Sequence, residues 1–155
     1  MTAMTLVLPD EAATERLGQQ FADLLKPISS ALIKLQGDLG AGKTCFTRSL
    51  IQAAGYQDRV KSPTYALVEA YSLQEKMFYH FDLYRLQGQA LEMIGIRDYL
   101  AEQAICLIEW PERAANLLPA GDIQLHFFIQ DSGRRVEIMA FSPLGEHLLA
   151  QLEIK

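Results

Sequence analysis

Apolar side chains near the start of the chain recur with a helical period and then give way to a continuous apolar run. Asp10 is a suitable N-cap for an amphipathic helix, and Pro27 is expected to stop it. The apolar face of this predicted helix consists of Ala13, Leu17, Phe21, Leu24 and Leu25. Residues 31–36 are mostly apolar without helical spacing, which indicates a buried strand. A second predicted helix carries Phe46, Leu50, Ala53 and Ala54 on one face, and Gly55 is placed to end it.

Short runs typical of strands dominate the rest of the chain. Only a few polar residues separate residues 65–71 from 76–82, and so short a connection favours an antiparallel hairpin over a parallel crossover. Residues 104–108 form a continuous apolar run, which predicts a central strand buried on both faces. Residues 123–129 and 134–141 flank the turn 131–133 and predict a second hairpin.

Weaker helical patterns lie between and after these strands. Leu91 and Ile94 suggest a short helix that Gly95 interrupts, and residues 97–100 begin another. Residues 144–152 have a weakly helical pattern.

The segment between the 31–36 strand and the helix after it fits the G-x-x-x-x-G-K-[ST] pattern of a phosphate-binding P-loop. Its residues are Gly37, Asp38, Leu39, Gly40, Ala41, Gly42, Lys43 and Thr44. The glycines let backbone N–H groups approach phosphate oxygens, Lys43 supplies positive charge for the β- and γ-phosphates, and the Thr44 hydroxyl can ligate Mg²⁺. Strand, loop and helix follow in the required order, so we predict a nucleoside triphosphate site rather than a chance glycine-rich turn.

Together these elements predict the fold class. We expect an α/β protein: a three-layer, P-loop NTPase-like domain with a mixed, partly antiparallel sheet. A chain of 155 residues is long enough for one such domain and too short for two, so we predict a single domain over residues 1–155.

A P-loop needs a carboxylate that holds Mg²⁺, usually at the end of a neighbouring buried strand. Glu109 closes the apolar run 105–108 and fits this position, although a strand-end carboxylate that simply reaches water has the same pattern. Asp82 ends the 76–82 strand and is a candidate for holding a magnesium-bound water or orienting the attacking water. A cap or a salt bridge to Arg85 explains Asp82 nearly as well.

Other residues near the predicted site have less defined roles. Thr64 follows a rigid Ser-Pro pair where many P-loop proteins keep a γ-phosphate-sensing switch, but an ordinary turn entering a strand is an equal alternative. Trp110, the only tryptophan, should lie close enough to report on bound nucleotide. The candidate charge stabilisers are Arg48, Arg59, Arg85, Arg97 and Arg113, and the sequence does not choose among them. An Asn-Lys-x-Asp segment for reading guanine is lacking, which favours adenine.

Composition and charge narrow the class of protein. The net charge of −5 argues against a broad basic nucleic-acid surface. Residues 1–8 lack the basic region and long apolar core of a signal peptide, and no apolar run is long enough to span a bilayer, so we expect a cytoplasmic protein without a membrane contact. Cys45 and Cys106 are expected to be small buried side chains rather than a disulfide or metal pair, and the three histidines lack metal-ligand spacing.

Five ordered blocks of sequence go beyond a generic P-loop. They are residues 37–44, the Val-Lys-Ser-Pro-Thr-Tyr segment 60–65, the Tyr-His-Phe-Asp-Leu-Tyr-Arg segment 79–85, and residues 95–99 and 108–110. The set resembles the TsaE (YjeE) family, small bacterial ATPases of tRNA threonylcarbamoyladenosine biosynthesis. The resemblance spans roughly residues 8–120.

The resemblance implies an Mg²⁺-dependent ATPase that binds ATP and ADP and supports two partner proteins, TsaB and TsaD. Those partners transfer a threonylcarbamoyl group to an adenosine of tRNA, so contact with tRNA would be indirect. Hydrolysis is expected to be slow in the isolated chain, because no obvious arginine finger is present and the switch segment would need a partner.

The resemblance also implies roles for individual residues. Lys43 and Thr44 would bind phosphate and magnesium, Glu109 would be the Walker B magnesium ligand and Asp82 a second residue at that site. Residues 62–64 would be the switch region. Glu11 and Arg134 would touch the nucleotide, as would the P-loop with Cys45, Glu109 and Trp110. Cys45 stands where relatives often have a second threonine, and little change is expected from it.

Two other functions fit the P-loop. One is a small kinase of a metabolite, although such enzymes usually carry an arginine-rich lid and the compact arginine cluster here is only Arg134-Arg135. The other is a nucleotide-gated switch module that barely hydrolyses ATP.

Overall fold

The computed structural model describes residues 2–58, 60, 68–85 and 95–153. The described strands are β1 (Ala3–Leu8), β2 (Ala31–Gly37), β3 (Val68–Leu73), β4 (Lys76–Asp82), β5 (Ile105–Glu109), β6 (Ile123–Gln130) and β7 (Gly133–Ala140). The described helices are α1 (Glu11–Leu25), α2 (Lys43–Ala53), α3 (Ile96–Ala101) and α4 (Pro143–Glu153), with a 3₁₀ turn at Pro111–Ala114.

All seven strands belong to one sheet in the order β1-β7-β6-β2-β5-β4-β3. The central strand β2 pairs in parallel with both β5 and β6, and β4 pairs in parallel with β5. The outer pairs β1–β7, β6–β7 and β3–β4 are antiparallel. This confirms the predicted mixed sheet, and it places the carboxyl ends of β2, β4, β5 and β6 along one edge.

Helices cover both faces of the sheet, which gives three layers. On one face α1, α2 and α4 form a core with the sheet, in which the rings of Phe21 and Phe46 meet edge to face at 5.3 Å. On the other face a smaller core joins Ile96 of α3 and Ala114 of the 3₁₀ turn to β4 and β5. Strand β5 lies between the two cores and is buried at every position, as its continuous apolar run predicts.

The predicted helices and hairpins are largely confirmed. Asp10 caps α1 by accepting from the Ala13 N–H at 2.9 Å, and α2 ends two residues before Gly55, whose φ is 124°. The tail is the predicted helix, now α4. No helix among the described residues is long and apolar enough to cross a bilayer. Cys45 is half-buried rather than buried as expected, whereas Cys106 is buried, and both are free.

Strand β1 was not predicted from the sequence. It forms an edge of the sheet, with Met4 and Leu6 half-buried and Leu8 buried against β7. Its alternation is obscured because Val7 is also apolar and yet 64% exposed. An edge strand with one covered face needs only every second residue to be apolar, so an extra apolar residue hides the period.

The turn of the second hairpin is one residue shorter than predicted. Gly133 pairs with Gln130, so the turn consists of Asp131 and Ser132 alone. A Cβ on Gly133 would lie 2.6 Å from the Leu8 carbonyl oxygen, which explains a glycine inside the strand. The 3₁₀ turn after β5 was also not predicted. Residues 65–67 of the first hairpin, and Leu91 and Ile94 of the predicted short helix, lie outside the described residues.

Candidate nucleotide-binding site

The P-loop connects the end of the central strand β2 to the first turn of α2. Gly37, Gly40 and Gly42 have φ values of 144°, 79° and 120°, a region that side chains rarely adopt. A Cβ on Gly37 would also lie 2.6 Å from the Phe127 carbonyl oxygen. Backbone conformation and close packing against β6 therefore both require glycine at the start of the loop.

The side chain of Lys43 lies inside this loop. Its Nζ donates to the Gly37 carbonyl oxygen and, at 3.1 Å, to that of Asp38, and it sits 4.2 Å above the Trp110 ring. Only 4% of Lys43 is exposed. Burial lowers the pKa of Lys43, while nearby carboxylates, Glu109 first, oppose the shift. The loop thus encloses the Lys43 amine between its own carbonyl oxygens and the Trp110 ring.

Glu109 joins this loop to the neighbouring strand. Pairing of β5 with β2 and β4 sets Glu109 opposite Leu35 on one side and Asp82 on the other. Glu109 Oε1 accepts from the Thr44 hydroxyl at 3.3 Å, and its Oε2 lies 2.6 Å from His80 Nε2. Because Glu109 is only 2% exposed, the alternative of a carboxylate that simply reaches water does not describe it.

Asp82 ends β4 beside Glu109. Its Oδ1 accepts from the Tyr84 N–H at 3.1 Å, and no ion pair with Arg85 is found, although both residues are described. Burial raises the pKa of Asp82, and the Glu109 charge adds to the shift. Asp82 and Glu109 line a cavity of 190 Å³. The other residues that line it are Leu39, Gly40, Gly42, Lys43, Thr44, Cys45 and Trp110.

Trp110 closes one side of this cavity. Its backbone is left-handed, with φ 60°, and its ring lies 4.8 Å from that of Tyr84. The Arg113 guanidinium lies 5.9 Å from the Trp110 ring centre. The indole is therefore packed between Lys43 of the loop and the side chains after β4 and β5.

A second cavity of 400 Å³ lies between the P-loop, the start of α1 and the β6–β7 hairpin. Glu11, Cys45 and Arg134 line it, together with Asp10, Thr14, Gly40, Gly42, Arg48, Ser132 and Gly133. Arg134 Nη2 donates to the Gly40 carbonyl oxygen at 3.0 Å. Three predicted nucleotide-binding residues from distant parts of the chain are thus brought together beside the loop.

Not every predicted site residue faces the cavities. Ala41 is 1% exposed and packs into the core, so its backbone alone is available to a ligand. Gly37 and Asp38 line neither cavity, although both carbonyl oxygens accept from Lys43. Thr64 and the switch segment 62–64 lie outside the described residues, as does Arg59.

Sequence reasoning missed His80. The strand period places His80 on the same face as Asp82, and parallel pairing of β4 with β5 brings that face to Glu109. The alternation was visible in the sequence, but the strand order that puts β4 beside β5 was not.

A glycine-rich loop between a central parallel strand and a helix, with an acidic residue ending the adjacent strand, defines the P-loop NTPase-like class of α/β protein. The model of the family described as "Threonylcarbamoyl adenosine biosynthesis protein TsaE" matches residues 8–136. The chain therefore belongs to the TsaE family, which confirms the family predicted from its motifs.

Individual relatives agree with this assignment. The chain is 44% identical over 154 residues to the tRNA threonylcarbamoyladenosine biosynthesis protein TsaE of Haemophilus influenzae, covering 97% of this chain and 98% of the relative. It is 39% identical over 119 residues to the protein of the same name from Synechocystis, covering 74% of each. The crystal structure of Bacillus subtilis YdiB superimposes with a TM-score of 0.82 at 24% identity, covering 98% of this chain and 95% of that one, and so supports the fold.

Proposed function

We propose that this protein is an Mg²⁺-dependent ATPase that supports threonylcarbamoyl transfer to adenosine in tRNA by the TsaB–TsaD pair. The observation that carries the proposal is the direct link from Thr44 of the P-loop to Glu109 at the end of the next strand. Family membership supplies the pathway, since the relatives carry tRNA threonylcarbamoyladenosine biosynthesis in their names.

The phosphates of ATP or ADP would be held by the loop itself. Backbone N–H groups of a glycine-rich loop and the first turn of a helix favour anions, and Lys43 adds a positive charge among them. The nucleoside would extend toward the second cavity, where Glu11, Cys45 and Arg134 lie. Trp110 would border the phosphates from the other side.

The donor set beside the loop fits a magnesium ion. Thr44 and Glu109 present oxygen ligands 3.3 Å apart, and Asp82 adds a second carboxylate in the same cavity. Among the described residues no group of three or more His, Cys, Asp or Glu side chains could hold a metal by itself, so the nucleotide phosphates would complete the coordination. When bound, Mg²⁺ would neutralise negative charge on the phosphates during hydrolysis.

The chain's own residues would then prepare the hydrolytic step. Lys43 and the loop hold the phosphates in place, and Glu109 holds its oxygen toward Thr44. Asp82, whose pKa is raised by burial, would orient the attacking water or accept its proton, with Thr64 as the second candidate for this role.

ATP hydrolysis by this protein would depend on its partner proteins. Among the described residues, no arginine lines the cavity that contains Asp82 and Glu109, and Arg113 lies behind the Trp110 ring. Because the cavity lacks an arginine that could stabilise charge on the phosphates, the isolated chain should hydrolyse ATP slowly. The net charge of −5 fits a protein that reaches tRNA only through its partners. A cytoplasmic location belongs to the same proposal.

The test is ATP hydrolysis by the purified chain, alone and with TsaB and TsaD added. Lys43→Ala is expected to lose activity about 100-fold, since removal of a single charge-stabilising donor commonly has this effect. Lys26→Ala is the matched control, because the Lys26 side chain is exposed and forms a surface ion pair with Asp23. No stimulation by the partners would overturn the accessory role, and acceptor-dependent ADP release would favour a kinase.

A further measurement separates an ATPase from a nucleotide-gated switch. Glu109→Ala should bind ATP without hydrolysing it. If hydrolysis is needed, this variant fails to support tRNA modification by TsaB and TsaD. Full support by a variant with no hydrolysis would show that bound nucleotide is sufficient.

A further inference from the structure

His80 is completely buried beside the site. It lies in the middle of β4, with an exposed fraction of 0%, and its Nε2 is 2.6 Å from Oε2 of Glu109. The two side chains reach each other across the β4–β5 pair, in which His80 is set opposite Leu107 and Asp82 opposite Glu109. A polar side chain in the centre of a buried strand needs a partner, and within the described part of the chain this carboxylate fills that role.

The direction of this hydrogen bond follows from the acceptor. A carboxylate oxygen accepts and a ring N–H donates, so the tautomer with the hydrogen on Nε2 donates to Oε2. The other ring nitrogen, Nδ1, is buried and has no hydrogen-bond partner among the described residues. The ring is therefore held in place through Nε2, and Glu109 is what it binds.

The two oxygens of Glu109 consequently have different partners. Oε2 is occupied by His80, whereas Oε1 faces the Thr44 hydroxyl at the cavity. Rotation of the carboxylate would break both contacts at once. Because His80 holds Oε2, Oε1 stays directed toward the Thr44 hydroxyl, where a metal ion bound by Thr44 would lie.

We propose that His80 is a positioning residue, which holds Glu109 in the orientation needed for metal–nucleotide binding. This inference rests on the proposed function, because it concerns the same site. Groups that orient a metal ligand from behind typically change metal affinity 10- to 100-fold when they are removed. The competing explanation is that His80 only fills space in the sheet.

The decisive experiment compares His80→Gln with His80→Leu. Glutamine can place an amide N–H near the position of Nε2, whereas leucine has a similar volume and no donor. The readout is the Kd of a fluorescent ADP analogue, measured in EDTA and across a Mg²⁺ titration. His80→Leu should raise the Mg²⁺ midpoint about 10-fold and leave the Kd in EDTA within about twofold of wild type. His80→Gln should recover most of the wild-type midpoint.

Several outcomes would overturn the positioning role. A wild-type Mg²⁺ midpoint in His80→Leu would show that the ring only packs, and so would equal shifts in both variants. Thermal unfolding of each variant shows whether it is folded. If His80→Leu does not fold, His80→Asn replaces it, since the shorter amide leaves Oε2 without its donor and should shift the midpoint in the same way.

The same titration separates this inference from the proposed function. A wild-type chain that binds the ADP analogue with no dependence on Mg²⁺ would contradict the metal site itself. A Mg²⁺-dependent wild type with unaffected His80 variants would contradict only the role of His80.

Discussion

Two ionisable side chains at the site, Lys43 and Asp82, are buried in surroundings that disfavour their charged forms. Lys43 is almost fully buried, and burial lowers its pKa. Asp82 is half-buried beside Glu109, and its pKa is raised above the ordinary value of 3.8. Both shifts mean that the charged forms are less stable in the folded protein than in water. Such residues reduce stability unless a ligand compensates them, which is typical of functional sites.

Asp82→Asn is therefore expected to stabilise the protein while reducing ATP hydrolysis. Asparagine keeps the oxygen that accepts from Tyr84 and removes the buried charge. Because the folded-state pKa of Asp82 is raised, its charge destabilises the fold at pH 7. This penalty shrinks as the pH falls through the folded-state pKa and vanishes below 3.8, where the carboxyl is protonated in both states. At pH 7 the Tm should rise by about 2 °C.

The measurement is thermal unfolding at pH 7 and at pH 4.5. The rise in Tm should be smaller at the lower pH. Asp58→Asn is the matched control, because Asp58 is exposed and its replacement should leave the Tm nearly unchanged at both values. A lower Tm for Asp82→Asn at pH 7, or a rise that does not depend on pH, would contradict the explanation.

Among the elements, helices α1 and α2 lie in close contact at Gly18. A Cβ there would lie 2.8 Å from the Phe46 carbonyl oxygen and 2.8 Å from Ser49 Cβ. This contact fixes α2, and with it the helix end that follows the P-loop. Glycine inside a helix normally reduces stability, so its presence here reflects the close packing.

Gly18→Ala should destabilise the protein although alanine favours helix formation. Overpacking usually destabilises by about 1–3 kcal/mol, and the gain in helix propensity offsets about 1 kcal/mol of it. We expect a net loss on the order of 1 kcal/mol, measured by urea unfolding. Gln19→Ala, at the next and exposed position of the same helix, should change stability by less than ~0.5 kcal/mol. Equal or greater stability of Gly18→Ala would show that the helices can separate without loss.

The elements also show how far the sequence predicts this structure. Strong local signals sufficed for α1, α2, β5 and the P-loop, since a cap, a period or a motif is encoded within a few residues. Strand β1 was not predicted, because the alternation of apolar and polar residues is weak in this edge strand. The pairing of His80 with Glu109 depends on strand order, which is decided by packing between segments about 30 residues apart. The sequence therefore predicted the residues at the strand ends, but not the contact between His80 and Glu109.

The candidate site draws its residues from elements that lie far apart along the chain. The start of α1, the P-loop, the ends of β4 and β5, and the β6–β7 hairpin all line one of the two adjoining cavities. These elements are distributed from residue 10 to residue 134. A ligand that contacts all of them would be lost on any unfolding of the domain, so its binding energy adds to the stability of the whole fold.

Nucleotide should consequently raise the Tm of the entire chain in a single transition. At a ligand concentration one hundred times its Kd, binding stabilises the folded state by about 2.7 kcal/mol. For 155 residues this corresponds to a rise of roughly 5–10 °C with ADP and Mg²⁺. The rise should be lost in Lys43→Ala and kept in Lys26→Ala, with scanning calorimetry as the measurement. If ADP and Mg²⁺ leave the Tm of the wild-type chain unchanged, the two cavities are not a nucleotide site. If they stabilise only part of a split transition, the ligand contacts fewer elements than the geometry brings together.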